Sequence, residues 1–329
     1  MHSKTLVLHI GLPKCASTYV QHFLSGNAGV LATKDVFYDQ PAIHDRSAVA
    51  NADGLRNVMA SMDQDRLDTY LDQFLHRDGT VVMSSETLID MARFSHPKQF
   101  VTSVAARGFR LKLVCIARRQ DHWIEADFKQ HIKDVSPWSD PLPALIARRR
   151  ELKILDYHWL LSNWAKMVDR EDIVLIPMRP EQSRTAVLER FLGVFDCGEM
   201  LSQCVLPDIK NQNSSPPAGL IEPARHIKRS LQREDKTADR VSLEVGQFLN
   251  KAAALDIPPR QFLMSLNARQ ALMDEYAASN VLLAQDFFDG QPVFENEFIS
   301  DLTSEEHLSD EAAAFLLDYF NQTKRLLLF

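Results

Sequence analysis

The sequence predicts an α/β fold, with a central parallel sheet flanked by helices and a mainly helical C-terminal extension. Four short apolar runs carry the first part of this reading: Thr5–Ile10, Thr80–Ser84, Leu111–Ala117 and Asp172–Pro177. Runs this short and this apolar suit strands buried on both faces of a parallel sheet. Helical periodicity lies between them, and the first run passes through a tight loop directly into a helical pattern. Strands that alternate with helices build α/β architectures.

Each element has its own justification. After the loop, Val20, Phe23 and Leu24 recur at helical spacing, and Gly26 supplies a stop. Ile124, Phe128 and Ile132 share one helix face after the third run, and Leu188, Phe191, Leu192 and Phe195 form a stripe after the fourth. The stretch KNQNSSPPAG, Lys210 to Gly219, reads as a loop. The expected organisation is therefore an α/β core over residues 1–215 and a helical extension over residues 216–329 that packs on it. In the extension, helices are expected over Val241–Leu255, over Leu266–Phe288 and beyond Leu308, where Thr303-Ser304-Glu305-Glu306 has capping-box spacing.

Composition narrows the function classes. The 329 residues are 45% hydrophobic and 25% charged, an ordinary globular balance. A net charge of −7 argues against a dedicated nucleic-acid binder, which needs a basic field. Four cysteines at irregular spacing make neither a disulfide framework nor a zinc site. The histidines lack HExxH or comparable spacing, so no metal is expected. The N-terminal apolar run is too short to span a membrane and has no cleavage site behind it. A cytoplasmic protein with reduced thiols is the expectation.

The segment Gly11-Leu12-Pro13-Lys14-Cys15-Ala16-Ser17-Thr18 carries the chemistry. A loop between a strand and a helix gathers free backbone N–H groups and the positive end of the helix dipole into one small volume. Lys14 can neutralise an anion there while the Ser17 and Thr18 hydroxyls donate hydrogen bonds. The order departs from Walker A, because no second glycine precedes the lysine and no Ser or Thr directly follows it. An ATPase would lack its magnesium ligand.

GLPKCASTYVQ resembles the 5′-phosphosulfate loop of sulfotransferases that use PAPS (3′-phosphoadenosine 5′-phosphosulfate), a family with the P-loop fold. A second segment, Ile116-Ala117-Arg118-Arg119-Gln120-Asp121-His122-Trp123-Ile124-Glu125-Ala126, resembles that family's 3′-phosphate segment. Weaker similarities continue through Asp156-Tyr157, Trp164, the DIVLIP run, Asn213-Ser214-Ser215 and Ser279-Asn280, and the nearest likeness is to bacterial sulfotransferase-like proteins. The resemblance implies PAPS as cosubstrate without a metal. It implies that Lys14, Cys15, Ala16, Ser17 and Thr18 hold the 5′ end, Arg118 and position 126 the 3′-phosphate, and Asn213 and Ser215 further parts of the nucleotide. The implied activity is sulfuryl transfer to an acceptor hydroxyl, with a carbohydrate as the expected acceptor. Two positions depart from the family pattern: Ala16 stands where many relatives have glycine, and Ala126 where many have serine.

Such a transfer also needs a base. Glu86, in Ser84-Ser85-Glu86 at the carboxyl end of an expected strand, lies on the sheet edge where open α/β folds bind ligands. The alternatives are His122, His131 and His44. Each site residue also has a structural reading: Glu86 as the cap of a helix starting near Thr87, Arg118 as half of a surface ion pair, and Cys15 as a spacer. Arg119 is read as structural, and Arg148 to Arg150 as a solvated helix face. Two further functions fit the loop: a P-loop nucleotide kinase, and a sulfotransferase-like nucleotide-binding protein that has lost turnover.

Overall fold

The computed structural model describes residues 4–40, 49–94, 96–179, 183–208, 216–252, 262–298 and 310–322. In chain order the first half contains β1 (Thr5–His9), α1 (Ser17–Gly26), α2 (Ala28–Ala32), β2 (Val36–Phe37), α3 (Leu55–Ala60), α4 (Gln64–Asp72), β3 (Thr80–Ser84), α5 (His96–Ala106) and β4 (Arg110–Arg118). The second half contains α6 (Gln120–Lys133), α7 (Leu142–Glu151), α8 (Tyr157–Trp164), β5 (Ile173–Met178), α9 (Arg184–Gly193), α10 (Ile221–Arg233), α11 (Ala238–Ala252), α12 (Leu266–Glu275), α13 (Ala277–Phe287) and α14 (Asp310–Gln322).

These elements form two compact units. The first comprises residues 1–119, 153–209 and 276–295; the second comprises 120–152, 210–275 and 296–329. The second unit thus takes α6 and α7 in addition to C-terminal helices, whereas α13 belongs with the sheet.

The sheet unit is an α/β fold with five parallel strands in the order β2-β3-β1-β4-β5. Its four longer strands are the four apolar runs, and Leu6, Val7, Leu8, Val82, Leu113, Val114 and Ile116 have no exposed surface or almost none. β1 is central. The chain places β2 and β3 on one side of it and β4 and β5 on the other, so the order reverses at β1. Ligands of open α/β sheets bind beyond the carboxyl ends of strands at such a switch point.

The helical unit packs α10 against α6 and α11, and α6 also against α7 and α12. Buried Lys228 on α10 directs its ammonium to the carbonyls of His131, Ile132 and Asp134, capping the C-terminal end of α6.

Some expectations change. Leu266–Phe288 is two helices, interrupted at Tyr276, whose dihedrals are φ −99°, ψ 4°. Helix α10 had no counterpart in the sequence reading, because a lysine interrupts its apolar stripe of Ile221, Ala224, Ile227 and Leu231. The arginine run is not uniformly solvated. Arg149 is half-buried, with Nε donating to Asp127 at 2.8 Å and Nη2 2.8 Å from His131 Nε2. The capping-box residues 303–306 lie outside the described residues.

Candidate functional site

Gly11 opens the loop after β1. Its φ is +108°, and a Cβ there would lie 2.7 Å from the carbonyl oxygen of Glu86. Both observations require glycine: the backbone is in a region that L side chains rarely adopt, and a neighbouring backbone occupies the space. Leu12 extends the ladder, with its N–H donating to the Ile116 carbonyl at 3.1 Å. Lys14 and Ala16 then both adopt φ of +61°. Alternation with left-handed residues turns successive N–H groups toward one side, the geometry of an anion-binding nest.

Helix α1 begins at Ser17, with Ala16 as its N-cap and no side-chain cap bond. Ser17 instead donates its hydroxyl to the Leu12 carbonyl at 3.1 Å, tying the loop's two ends together. Among the described residues, the amides of Lys14, Cys15, Ala16, Ser17 and Thr18 have no acceptor. Five uncommitted donors thus gather at the start of a helix of ten residues, beside a lysine, an arrangement whose chemistry suits an anion.

Glu86 follows β3 on the neighbouring strand end. The cap reading does not hold for it: the nearby 3-10 helix starts at Ile89, with Leu88 before it and no side-chain cap. Glu86 is half-buried, and burial raises its carboxyl above the usual range. The positive charge of Lys14 opposes that rise, and the negative charge of Asp53 adds to it. A carboxylate with a raised pKa is a stronger proton acceptor than an ordinary one.

Arg118 ends β4, on the other side of β1. Its charge acts on the Cys15 thiol, and its backbone amide hydrogen-bonds that thiol, so Arg118 adjoins the loop. Among the described residues its guanidinium has no ion-pair partner, in contrast to the surface-pair reading. Tyr157 donates its hydroxyl to the Arg118 carbonyl at 2.9 Å, which fixes the strand end from behind. Asp156 caps α8 through the Trp159 amide and accepts a bond from Ser279, so residues far apart in the sequence brace one corner. Arg119 is buried and donates to the Glu295 carbonyl, a structural role.

Cys15 is fully buried, and burial pushes its thiol up to about 12. It is a neutral spacer at physiological pH, not a nucleophile.

Under the loop is a polar knot that sequence reasoning missed. His9 and Ser84 are register partners on β1 and β3, with His9 Nδ1 2.8 Å from Ser84 Oγ. Gln21 of α1 donates to the same hydroxyl at 3.0 Å, and the Asn51 side chain accepts from the Ser84 amide at 2.8 Å. All four residues are buried, and burial lowers the His9 pKa to about 4, keeping the ring neutral. The knot locks β1, β3 and α1 directly behind Gly11 and Glu86. Each of its residues is unremarkable alone, and only the register makes them one group. Asp53 likewise carried no sequence signal.

Other expected site residues belong to the helical unit or fall outside the described residues. Ala126 is a half-buried position of α6, in the helical unit. In that unit His122 stacks on Phe262, with centroids 5.4 Å apart, and His131 is engaged by Arg149 and Ser136. Asn213, Ser214, Ser215 and His44 lie outside the described residues. The described residues that could group around a metal are Asp169, Glu171 and Asp172, before β5, where Arg110 pairs with two of them. No helix among the described residues is long and apolar enough to cross a membrane. No protein-family model and no curated protein matches the chain.

Proposed function

We propose that this protein transfers a sulfuryl group from PAPS to an acceptor hydroxyl, with a carbohydrate as the acceptor class. One observation carries the reading. Lys14, Glu86 and Arg118 issue from the carboxyl ends of three adjacent strands, around a helix start whose amides are uncommitted. That set supplies two cations, five N–H donors and a single base, with no hydroxyl placed as a P-loop magnesium ligand.

In this reading the loop amides and Lys14 hold the 5′-phosphosulfate, and Arg118 takes the 3′-phosphate. Glu86 accepts the proton of the acceptor hydroxyl as its oxygen bonds to sulfur. The bond between sulfur and the bridging phosphate oxygen breaks, and Lys14 stabilises the charge left on that oxygen. By analogy with phosphoryl transfer, positioning and charge stabilisation supply most of the catalysis.

The test compares thermal midpoints. Adenosine 3′,5′-bisphosphate is expected to raise the midpoint more than ADP or ATP, because ligands that bind only the folded state stabilise it by mass action. A larger, magnesium-dependent shift with ATP would favour the nucleotide kinase instead. In parallel, Lys14→Ala is expected to lower sulfate transfer from PAPS by about 10²-fold or more, with little loss of stability. Near-normal turnover in that variant would remove the loop from the chemistry.

A further inference from the structure

The helical unit contains a cavity of about 540 Å³ that none of the groups discussed above uses. That volume falls within the range of small-molecule sites, about 300–1,000 Å³. Phe128 of α6, Leu142 of α7 and Met264 and Leu272 near α12 form its inner surface, all with little or no exposure. Ala268 and Ala271 of α12 line its outer part and are exposed, so the cavity reaches solvent. Gly219 also lines the cavity, so small residues make up part of its wall.

The wall is held by design of the fold, not by chance contact. The buried Glu125 carboxylate accepts the backbone amides of Leu263 at 2.9 Å and Met264 at 2.8 Å. This pins the segment before α12 onto α6. A preformed apolar hollow costs a ligand little reorganisation.

Two charged side chains border the cavity, and both are already satisfied. Arg150 is paired with both carboxylate oxygens of Glu275, one at 2.9 Å from Nε. Glu222 accepts from Arg225 Nε at 2.7 Å. Each of these charges is already compensated by its partner, so the lining offers a headgroup no uncompensated charge. Hydrocarbon contact, by contrast, is available without loss.

We propose that this cavity binds a small, neutral, mostly hydrocarbon molecule, recognised through carbon surface and not through charge. The site belongs to the helical unit alone and does not depend on the assignment of the sheet unit.

One skeleton in three charge states tests it: 4-phenylbutan-1-ol, 4-phenylbutyrate and 4-phenylbutylamine as its ammonium ion, titrated by calorimetry into the full chain. The alcohol is expected to bind at least as tightly as either ion. Ala271→Trp and Ala268→Trp, both at exposed positions of α12 that line the cavity, are expected to weaken the alcohol at least tenfold. The midpoint shift given by adenosine 3′,5′-bisphosphate should be the same in both variants as in the parent. Three results would overturn the proposal: no saturable binding of the alcohol, a tenfold preference for either ion, or alcohol binding that survives both tryptophans.

Discussion

Two sets of cations, one in each unit, differ in their partners. In the helical unit Lys228 is met by three carbonyls, the half-buried Arg149 by Asp127 and His131, and Arg225 by Glu222 and the Ser139 carbonyl. At the switch point of the sheet, Lys14 and Arg118 have no carboxylate within ion-pair distance among the described residues. Glu86 is half-buried, with burial raising its carboxyl, and five loop amides have no acceptor among the described residues. A fold gains no stability from leaving polar groups unmatched, since each unmade bond to a desolvated group costs about 1–3 kcal/mol. The contrast therefore separates cations committed to the fold from cations without an ion-pair partner, which the proposed function assigns to a ligand.

Glu86→Gln probes the ligand side most severely. If the carboxylate is the base, turnover is expected to fall by about 10²–10⁴-fold. On that reading the parent protein should gain sulfuryl-transfer activity as pH rises through a pKa above the ordinary carboxylate range, and the variant should lose that limb. Stability should move the other way. A carboxyl whose folded pKa is raised binds its proton more tightly in the folded state than in the unfolded one. Its favourable contribution is complete below the unfolded pKa and is lost as pH rises through the folded value. At neutral pH the glutamine variant is thus expected to be more stable than the parent, and below the carboxylate range that advantage should vanish. An unchanged pH–rate profile would exclude Glu86 as the base.

Lys228→Met probes the satisfied side. Losing the charge-assisted bonds to the end of α6 is expected to cost about 1.5–3 kcal/mol, read as a lower denaturant midpoint at constant slope. The response to adenosine 3′,5′-bisphosphate should remain. Burial lowers the Lys228 pKa to about 8, against the pull of Asp134. Below that value both folded and unfolded states hold the proton, and stability is flat with respect to this group. Between it and the ordinary lysine value the unfolded state holds more protons, so the parent should gain stability with rising pH. The methionine variant should not. A parent and variant with parallel pH curves would show that Lys228 does not titrate in this window.

The same contrast explains what was legible in the sequence. The four longer strands could be read because burial on both faces makes each a short apolar run. β2 could not, because it pairs only Val36 and Phe37 with β3. Lys14, Glu86 and Arg118 sit at strand ends, where local pattern marks them. The knot of His9, Gln21, Asn51 and Ser84 depends on the register between β1 and β3, and Tyr157 reaches Arg118 from a helix after α7. Such long-range pairing leaves no local trace. Lys228 was hidden for the opposite reason: a lysine in an apolar stripe looks like the stripe's edge until its three carbonyl partners are known.

Ala16 gives the smallest effect and the sharpest comparison, because it shows how the loop holds its geometry. Of the described non-glycine residues with positive φ, four are aspartates, a residue type that tolerates the left-handed region. Ala16 lacks any side-chain bond that would favour it, and its φ of 61° and ψ of 14° place it there at the head of α1. The left-handed conformation costs an L-residue about 1–2 kcal/mol. Glycine removes that cost, but it also increases the freedom of the unfolded chain by about 0.4–1 kcal/mol. The difference leaves Ala16→Gly expected to be between about 0 and about 1.6 kcal/mol more stable than the parent, measured as a higher urea midpoint with unchanged slope. Because both residues can hold the same dihedrals, the amides keep their direction, and adenosine 3′,5′-bisphosphate should bind the variant no less tightly than the parent. A loss of stability would mean that Ala16 leaves the left-handed region in solution, and with it the alternation that turns the loop's amides toward one anion.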